Sequence, residues 1–319
     1  MKIQKIKLPS PFPPNHTNAY LINDLLLVDA GVNSEENVKI LEKFGDEVIL
    51  FLTHPHADHF GAAYLFKFVY GHEITCKRLR DAEEEYFELV YHHFISEGLP
   101  ESLAKKMQER ARERYRGYVI PYDNCKKAPE KIKVDGDVFD VIHTPGHSFG
   151  HLCLYHKETK TIFCGDIVLE NITPNPVIEP INEEKRLCVL DYYIKTLREL
   201  YNLEVRKAYP GHREIRKEWK ELILDYVNNW RSRSLEIWRL ADGKTAFEIA
   251  TTLFPDIKQI FLAMTETIAH ADFLLSNNLV EKRGMRYFRC SEREEVEELW
   301  RGIKERITRG ERGQQRSVF

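Results

Sequence analysis

The sequence predicts an α/β domain with a helical insertion, followed by a smaller α+β module. Short apolar, β-branched runs recur through the first 210 residues and end in polar clusters, as strands of an open α/β sheet do. Between about residues 77 and 129 this pattern gives way to charge-rich helical spacing. After about residue 224 the composition shifts again, to helices that end in a hairpin. A chain of 319 residues is long enough for two such domains.

Taken in order, residues 2–8, 19–23 and 25–29 read as strands. Between the first two lies Pro9-Ser10-Pro11-Phe12-Pro13-Pro14, whose prolines cannot donate ladder hydrogen bonds. Asn23-Asp24 marks a tight turn. A helix is expected over 34–44, with Ser34 as N-cap and Gly45 as its stop. The run Val48-Ile49-Leu50-Phe51-Leu52 reads as a buried strand, and 62–69 as a helix packed on the sheet. In the insertion, Leu79, Ala82, Tyr86, Leu89, Val90 and Phe94 recur at helical spacing over 79–96. Gly98-Leu99-Pro100 breaks that helix, and a more polar one follows over 101–116. Strands return over 138–142, 151–155 and 161–164, then a helix over 187–201 and a strand over 205–209.

These boundaries give a first domain over 1–225, with its hairpin insertion at about 77–129. A second module follows over 226–299, and then a basic tail over 300–319 that should fray. Within the second module, 226–240 is a helix stopped by Asp242-Gly243. Thr245 caps a short helix, 261–277 forms a longer one, and 279–289 is a hairpin turning at Gly284. Helix, helix, helix, hairpin is a winged-helix order.

Composition excludes several classes. A net charge of −3 gives no global drive toward nucleic acid. No apolar run is long enough to span a bilayer, and the N-terminus alternates charge with aliphatic residues instead of forming a signal peptide. The six cysteines (Cys76, Cys125, Cys153, Cys164, Cys188 and Cys290) are scattered without a CxxC pair. They read as reduced thiols in a cytoplasmic protein.

Chemistry concentrates at strand ends. Thr53-His54-Pro55-His56-Ala57-Asp58-His59 follows the 48–52 strand and places three imidazoles and a carboxylate within six residues. Such groups repel when protonated and solvate poorly when buried without a cation, so the cluster points to a metal. Further ligand types follow other strands: His147, Asp166 and His212. Asp29, also at a strand end, reads either as an acceptor that orients a ligating histidine or as a turn or helix-cap carboxylate. His143 and His151 flank the His147 loop as hydrogen-bonding partners, and His92-His93 read as ordinary helix residues.

Together, the segments 53–59, Thr144-Pro145-Gly146-His147-Ser148, Gly165-Asp166 and Pro210-Gly211-His212 resemble the metallo-β-lactamase superfamily, in its glyoxalase II and lactamase-beta-2-like branch. They occur in that family's order across residues 1 to about 225. The resemblance implies an αββα sandwich of two mixed sheets with helices outside. It also implies two zinc ions, with iron or manganese as alternatives. His54, His56 and His147 would hold one, Asp58, His59 and His212 the other, with Asp166 between. A hydroxide bridging the metals would then attack a carbonyl or phosphoryl centre, and Asp58 would orient it or accept its proton.

The expected activity is therefore metal-dependent hydrolysis of a small carbonyl ester, thioester or lactone. The alternatives are a metal-dependent ribonuclease and a mononuclear-iron persulfide dioxygenase; the second would leave Asp58, His59 and His212 without a metal. Nucleic acid is disfavoured because 261–277 carries no Lys or Arg, so a recognition helix there would lack cations. That module reads instead as a packing or homodimerisation element. Tyr86, Phe87, Tyr91 and Phe94 either line an acyl pocket or, as the favoured reading, pack the insertion onto the sandwich.

Overall fold

The computed structural model describes residues 1–309. Two sheets lie face to face. The first has the order β1 (Ile3–Pro9), β2 (His16–Ile22), β3 (Leu26–Val28), β4 (Ile49–Phe51), β5 (Phe68–Gly71) and β6 (Cys125–Lys127), antiparallel at first and parallel from β3 onward. The second contains β7 (Lys131–Val134), β8 (Asp137–His143), β9 (Leu152–His156) and β10 (Thr161–Gly165). A small ribbon, β11 (Glu179–Pro180) and β12 (Arg186–Leu187), precedes β13 (Lys207–Pro210), which joins the second sheet parallel to β10. Tyr20, Val28 and Phe51 from the first sheet and Phe139, Leu154 and Phe163 from the second fill the space between them.

Helices cover both outer faces. On the first sheet lie α1 (Glu35–Leu41), the single turn α2 (Ala57–Phe60) and α3 (Glu73–Asp81), which contribute Leu41, Phe60 and Leu79 to a core with Leu8, Leu27 and Leu50. Ser34 caps α1, accepting from the Asn37 amide at 3.3 Å. On the second sheet lie α4 (Glu84–Ser96), α5 (Glu101–Tyr118), α6 (Val189–Asn202) and α7 (Trp219–Leu240). The remainder comprises β14 (Asp242–Thr245), α8 (Ala246–Leu253), α9 (Ile260–Ser276), β15 (Val280–Arg283), β16 (Arg286–Arg289) and α10 (Arg293–Thr308), with strand order β14-β16-β15. Thr245 and Glu248 form a capping box at the start of α8. The molecule is thus an α/β sandwich with helices outside, a helical insertion and a largely helical C-terminal region.

Helix α7 runs across the expected boundary at residue 225, and one core joins both sides of it. Tyr193 of α6, Trp230 of α7, Ile268 of α9 and Trp300 of α10 share that core with Cys153 and Ile162 of the second sheet. Trp230 packs edge-on against Tyr193 at 4.7 Å.

Several expectations need correction. The 62–69 segment is a short 3-10 turn followed by β5, because Phe68-Val69-Tyr70 pairs with strands on both sides, and that pairing outweighs local periodicity. The helix expected over 79–96 breaks at Ala82 and Glu83, both left-handed (φ 51° and 62°). Asp81 stabilises the break by accepting from the Glu83 amide at 3.0 Å. The helix before Asp242-Gly243 ends at Leu240 as expected, and the pair itself opens β14. The chain after Trp300 does not fray as far as it is described. Val296, Trp300, Ile303 and Ile307 form an apolar stripe that buries α10 against α6 and α7, while residues 310–319 lie outside the described residues. Finally, Cys76 and Cys125 form a disulfide, with Cα atoms 5.2 Å apart, so the six cysteines are not all thiols. The partners are 49 residues apart and meet only because α3 packs on β6. Among the described residues no helix is long and apolar enough to cross a membrane.

The four aromatics of the insertion are buried in the core shared with the second sheet, and Phe87, Tyr91 and Phe94 meet Phe261 at the start of α9. They pack. Two cations of α5 find carboxylates on the neighbouring helix, Arg112 with Glu88 at 2.6 Å and Arg116 with Glu84 at 3.3 Å, and Lys105 pairs with Glu101 of its own helix at 2.8 Å.

Candidate metal centre

Four strand ends converge at one end of the sandwich. After β4 come Thr53, His54 and His56, and α2 then carries Asp58 and His59. His147 lies in the turn after β8, Asp166 follows β10, and His212 follows β13. Backbone hydrogen bonds stitch these loops together: the Leu152 amide to the Thr53 carbonyl at 2.7 Å, and the Gly211 amide to the Gly165 carbonyl at 2.8 Å. Close packing makes glycine necessary at two of the turns. A Cβ on Gly211 would lie 2.3 Å from Asp166 Oδ1, and one on Gly146 would lie 2.3 Å from the Tyr193 ring.

All seven candidate ligands come together. His54, His56 and His147 form one group; Asp58, His59 and His212 form another; Asp166 joins His54 and His59 between them. In the first group His56 Nδ1 lies 3.0 Å from His54 Nε2 and 3.1 Å from His147 Nε2. In the second, His212 Nε2 lies 3.4 Å from His59 Nε2, 3.4 Å from Asp58 Oδ2 and 3.2 Å from Asp166 Oδ2. Every one of these residues except His56 is buried.

Hydrogen bonds on the far side of four of the five rings fix their tautomers. His147 Nδ1 donates to the Asn175 carbonyl at 2.9 Å, and His212 Nδ1 to the His16 carbonyl at 2.7 Å. His59 Nδ1 donates to Asp29 Oδ2 at 2.7 Å. The Thr53 hydroxyl donates to Asp29 at 2.8 Å and therefore accepts from His54 Nδ1 at 2.9 Å. Asp29 also accepts from the Thr53 amide at 2.8 Å. Its carboxylate thus touches one ligand of each group, directly or through one hydroxyl. Asp29 holds φ 62°, which an aspartate adopts more readily than most residues.

With Nδ1 protonated, the Nε2 lone pairs of His54, His59, His147 and His212 all point inward. Two of them face His56 Nδ1, which carries at most one proton. The other two face carboxylates, and Asp166 Oδ1 has no hydrogen-bond partner among the described residues. A buried cluster with more lone pairs than protons fits cations. Nitrogen and carboxylate donors of this kind suit zinc, iron or manganese.

Electrostatics of the chain alone point the same way. Burial, with neighbouring imidazoles, pushes His54 and His56 well below the ordinary histidine range, and burial lowers His147. For His59 and His212 burial also acts downward, but Asp166 and the other nearby carboxylates outweigh it; His59 is held well above its ordinary value and His212 at about 10. Burial would raise Asp58, yet His59 and His212 bring it down to about 2. Asp166 is likewise held well below the carboxylate range by His212 and His59, against its burial. Without metal, the acidic half of the site recruits protons that a cation would replace.

The remaining histidines brace loops. His143 Nε2 donates to the Phe149 carbonyl at 2.7 Å. His151 binds the Thr144 hydroxyl through Nδ1 at 2.8 Å and accepts from the Asp166 amide through Nε2 at 3.2 Å. His93 donates to the Asn182 carbonyl at 2.8 Å, away from the cluster. Sequence reasoning assigned no role to Thr53 or to the carbonyls of His16 and Asn175. Thr53 stood beside a ligand and was open to that reading; a backbone carbonyl leaves no trace in residue type.

Similarity to known proteins agrees with this geometry. Residues 12–229 match the sequence pattern of the Metallo-beta-lactamase superfamily. The chain is 30% identical over 292 residues to the probable metallo-hydrolase YqjP of Bacillus subtilis, spanning 84% of this chain and 91% of the relative. It is 30% identical over 171 residues to the acyl-coenzyme A thioesterase MBLAC2 of Bos taurus, spanning 50% of this chain and 54% of the relative. The crystal structure of a metallo-beta-lactamase family protein from Thermus thermophilus superposes with a TM-score of 0.76 at 28% identity, covering 90% of this chain and 98% of the other. The pattern match covers more than half of the chain and includes all four ligand-bearing loops, so this chain belongs to the metallo-beta-lactamase superfamily.

Proposed function

We propose that this protein is a metal-dependent hydrolase of small thioesters, with carbonyl esters and lactones as the neighbouring substrate classes. The observation that carries the reading is the convergence of four tautomer-fixed Nε2 lone pairs and two carboxylates on one buried centre. His54, His56 and His147 would hold one zinc ion and Asp58, His59 and His212 a second, with Asp166 between them. Bound cations would supply Lewis acidity toward a carbonyl oxygen and an activated water near neutral pH. Asp58, with one oxygen 3.5 Å from the Thr17 hydroxyl, is the carboxylate we assign to orienting the attacking water and taking its proton. Asp29 and Thr53 hold the His59 and His54 rings in their ligating tautomers.

The thioester preference is supported by the similarity to an acyl-coenzyme A thioesterase. A nucleic-acid substrate is disfavoured by α9. It carries no Lys or Arg and is buried over most of its length, including Ala263, Met264, Thr267, Ile268, Ala271 and Leu274. A helix packed in this way offers no face to a groove. Metal content on protein purified without chelators tests the centre, and turnover of thioesters, lactones and RNA tests the substrate class. We expect about two zinc ions per chain and fastest turnover of thioesters. One iron per chain would replace this reading with the mononuclear dioxygenase, and RNA cleavage in preference to thioesters would overturn the substrate class.

A further inference from the structure

The C-terminal region reaches the metal centre through side-chain hydrogen bonds to the connection that follows Asp166. His147 is oriented by the Asn175 carbonyl, and the Val177 amide donates back to the His147 carbonyl at 3.3 Å. Asn175 and Val177 belong to the long connection between Asp166 and α6, which has little regular structure of its own. Something else must hold it still. The Asn175 side chain is fastened to α9 at both ends of its amide: Nδ2 donates to the Leu262 carbonyl at 2.9 Å, and Oδ1 accepts from the Thr265 hydroxyl at 2.6 Å. Thr265 is fully buried. The same connection is pinned again near its far end. There Arg186 binds both oxygens of Asp272 at 2.7 and 2.6 Å and Glu97 at 2.5 Å. Thr265 and Asp272 are two helical turns apart, so one face of α9 grips the connection at two points about 10 Å apart.

We propose that Thr265 is a positioning residue for the metal centre: through the Asn175 amide it sets the carbonyl that aims His147 at the metal. The inference rests on the metal-centre reading above. A ligating histidine depends on the acceptor of its other N–H, and loss of such an acceptor lowers metal affinity by about 10–100-fold. Thr265 acts one hydrogen bond further out, so the lower end applies. Its hydroxyl also lies 3.0 Å from the Leu262 carbonyl, but that carbonyl already accepts from Asn175, and the shorter contact is the one to the amide.

The test uses the full chain and four variants, Thr265→Val, Thr265→Ser, Asn175→Ala and the valine–alanine double variant. Zinc affinities are read by chelator competition, ligand geometry from the visible spectrum of the cobalt(II)-loaded protein, and folding from the Tm of the metal-free form. Thr265→Val should weaken one of the two zinc ions about tenfold and shift the cobalt spectrum, whereas Thr265→Ser stays within about twofold of wild type. Asn175→Ala, at a part-exposed position, should reproduce the loss without a core change, and the double variant should lose no more than either single one. Unchanged zinc affinity and cobalt spectrum in Thr265→Val and Asn175→Ala would overturn the proposal while leaving the metal centre intact. A serine variant as weak as the valine variant would also overturn it, since the hydroxyl would then be irrelevant. A wild-type chain that binds no zinc would overturn the metal-centre reading and this inference with it.

Discussion

Replacing Asp29 by asparagine should weaken one metal selectively. The side chain is nearly isosteric, and asparagine tolerates the φ of 62° found there. Its single carbonyl oxygen, standing in the place of Oδ1, can still accept from the Thr53 amide and hydroxyl, now at 2.8 and 3.1 Å. The amide NH2 then faces His59 Nδ1, which now donates to Asp29 at 2.7 Å. Two donors cannot share that contact. The ring must give up the hydrogen bond or move its proton to Nε2, the atom that lies 3.4 Å from His212 Nε2 and 3.6 Å from Asp166 Oδ2. Either outcome removes a prepared lone pair, which corresponds to a loss of about 10–100-fold in affinity, or about 1.4–2.7 kcal/mol, for the metal held by Asp58, His59 and His212. The metal held by His54, His56 and His147 should stay within about twofold, because the Thr53 hydroxyl keeps its acceptor. Thr53→Val inverts the pattern by removing the acceptor of His54 Nδ1 while leaving Asp29 on His59. Stepwise zinc release to a chelator measures both affinities, with His147→Ala and His212→Ala identifying the two steps. If both variants weakened the same step, or neither weakened any, the assignment of Asp29 and Thr53 to separate ligands would be wrong.

Three further outcomes follow from other parts of the structure. Gly211→Ala places a methyl group 2.3 Å from Asp166 Oδ1 and 2.7 Å from the His59 ring, so zinc affinity should fall more than about tenfold, with His59 and Asp166 displaced together; wild-type affinity would show that the loop yields freely. Reducing the Cys76–Cys125 disulfide, or replacing Cys76 by serine, frees a loop of 49 residues and should cost about 4 kcal/mol of stability by loop entropy, visible as a lower Tm. An unchanged Tm under reductant would contradict the bond's contribution. His72, stacked on His143 at 4.6 Å, is held down to about 4 by burial and by that neighbour. A lowered histidine contributes stability that is present above pH about 6.5 and lost as pH falls toward 4. The stability of wild type relative to His72→Asn, which retains a cap for α3, should therefore drop by on the order of 2–3 kcal/mol between those pH values; a flat difference would refute the shift.

The ligand types were legible in the sequence because each sits in a loop directly after a strand. Local patterning alone therefore placed Thr53 to His59, His147, Asp166 and His212 at strand ends. The same locality made the helices of the insertion and of the C-terminal region readable from apolar spacing, as with Phe94 in α4 and Ile268 in α9. What only the tertiary structure decided depends on partners distant in the chain. β5 became a strand because β4 and β6 flank it, and Cys76 found Cys125 because α3 packs on β6. α10 stayed helical past Trp300 because α6 and α7 cover its apolar stripe. In the metal centre the sequence supplied the imidazoles, but not which nitrogen of each faces inward. That choice belongs to Asp29, Thr53 and the carbonyls of His16 and Asn175, groups up to 196 residues from the ring they orient. A hydrogen bond across the fold has no period and no local spacing, so only the packed chain reveals it.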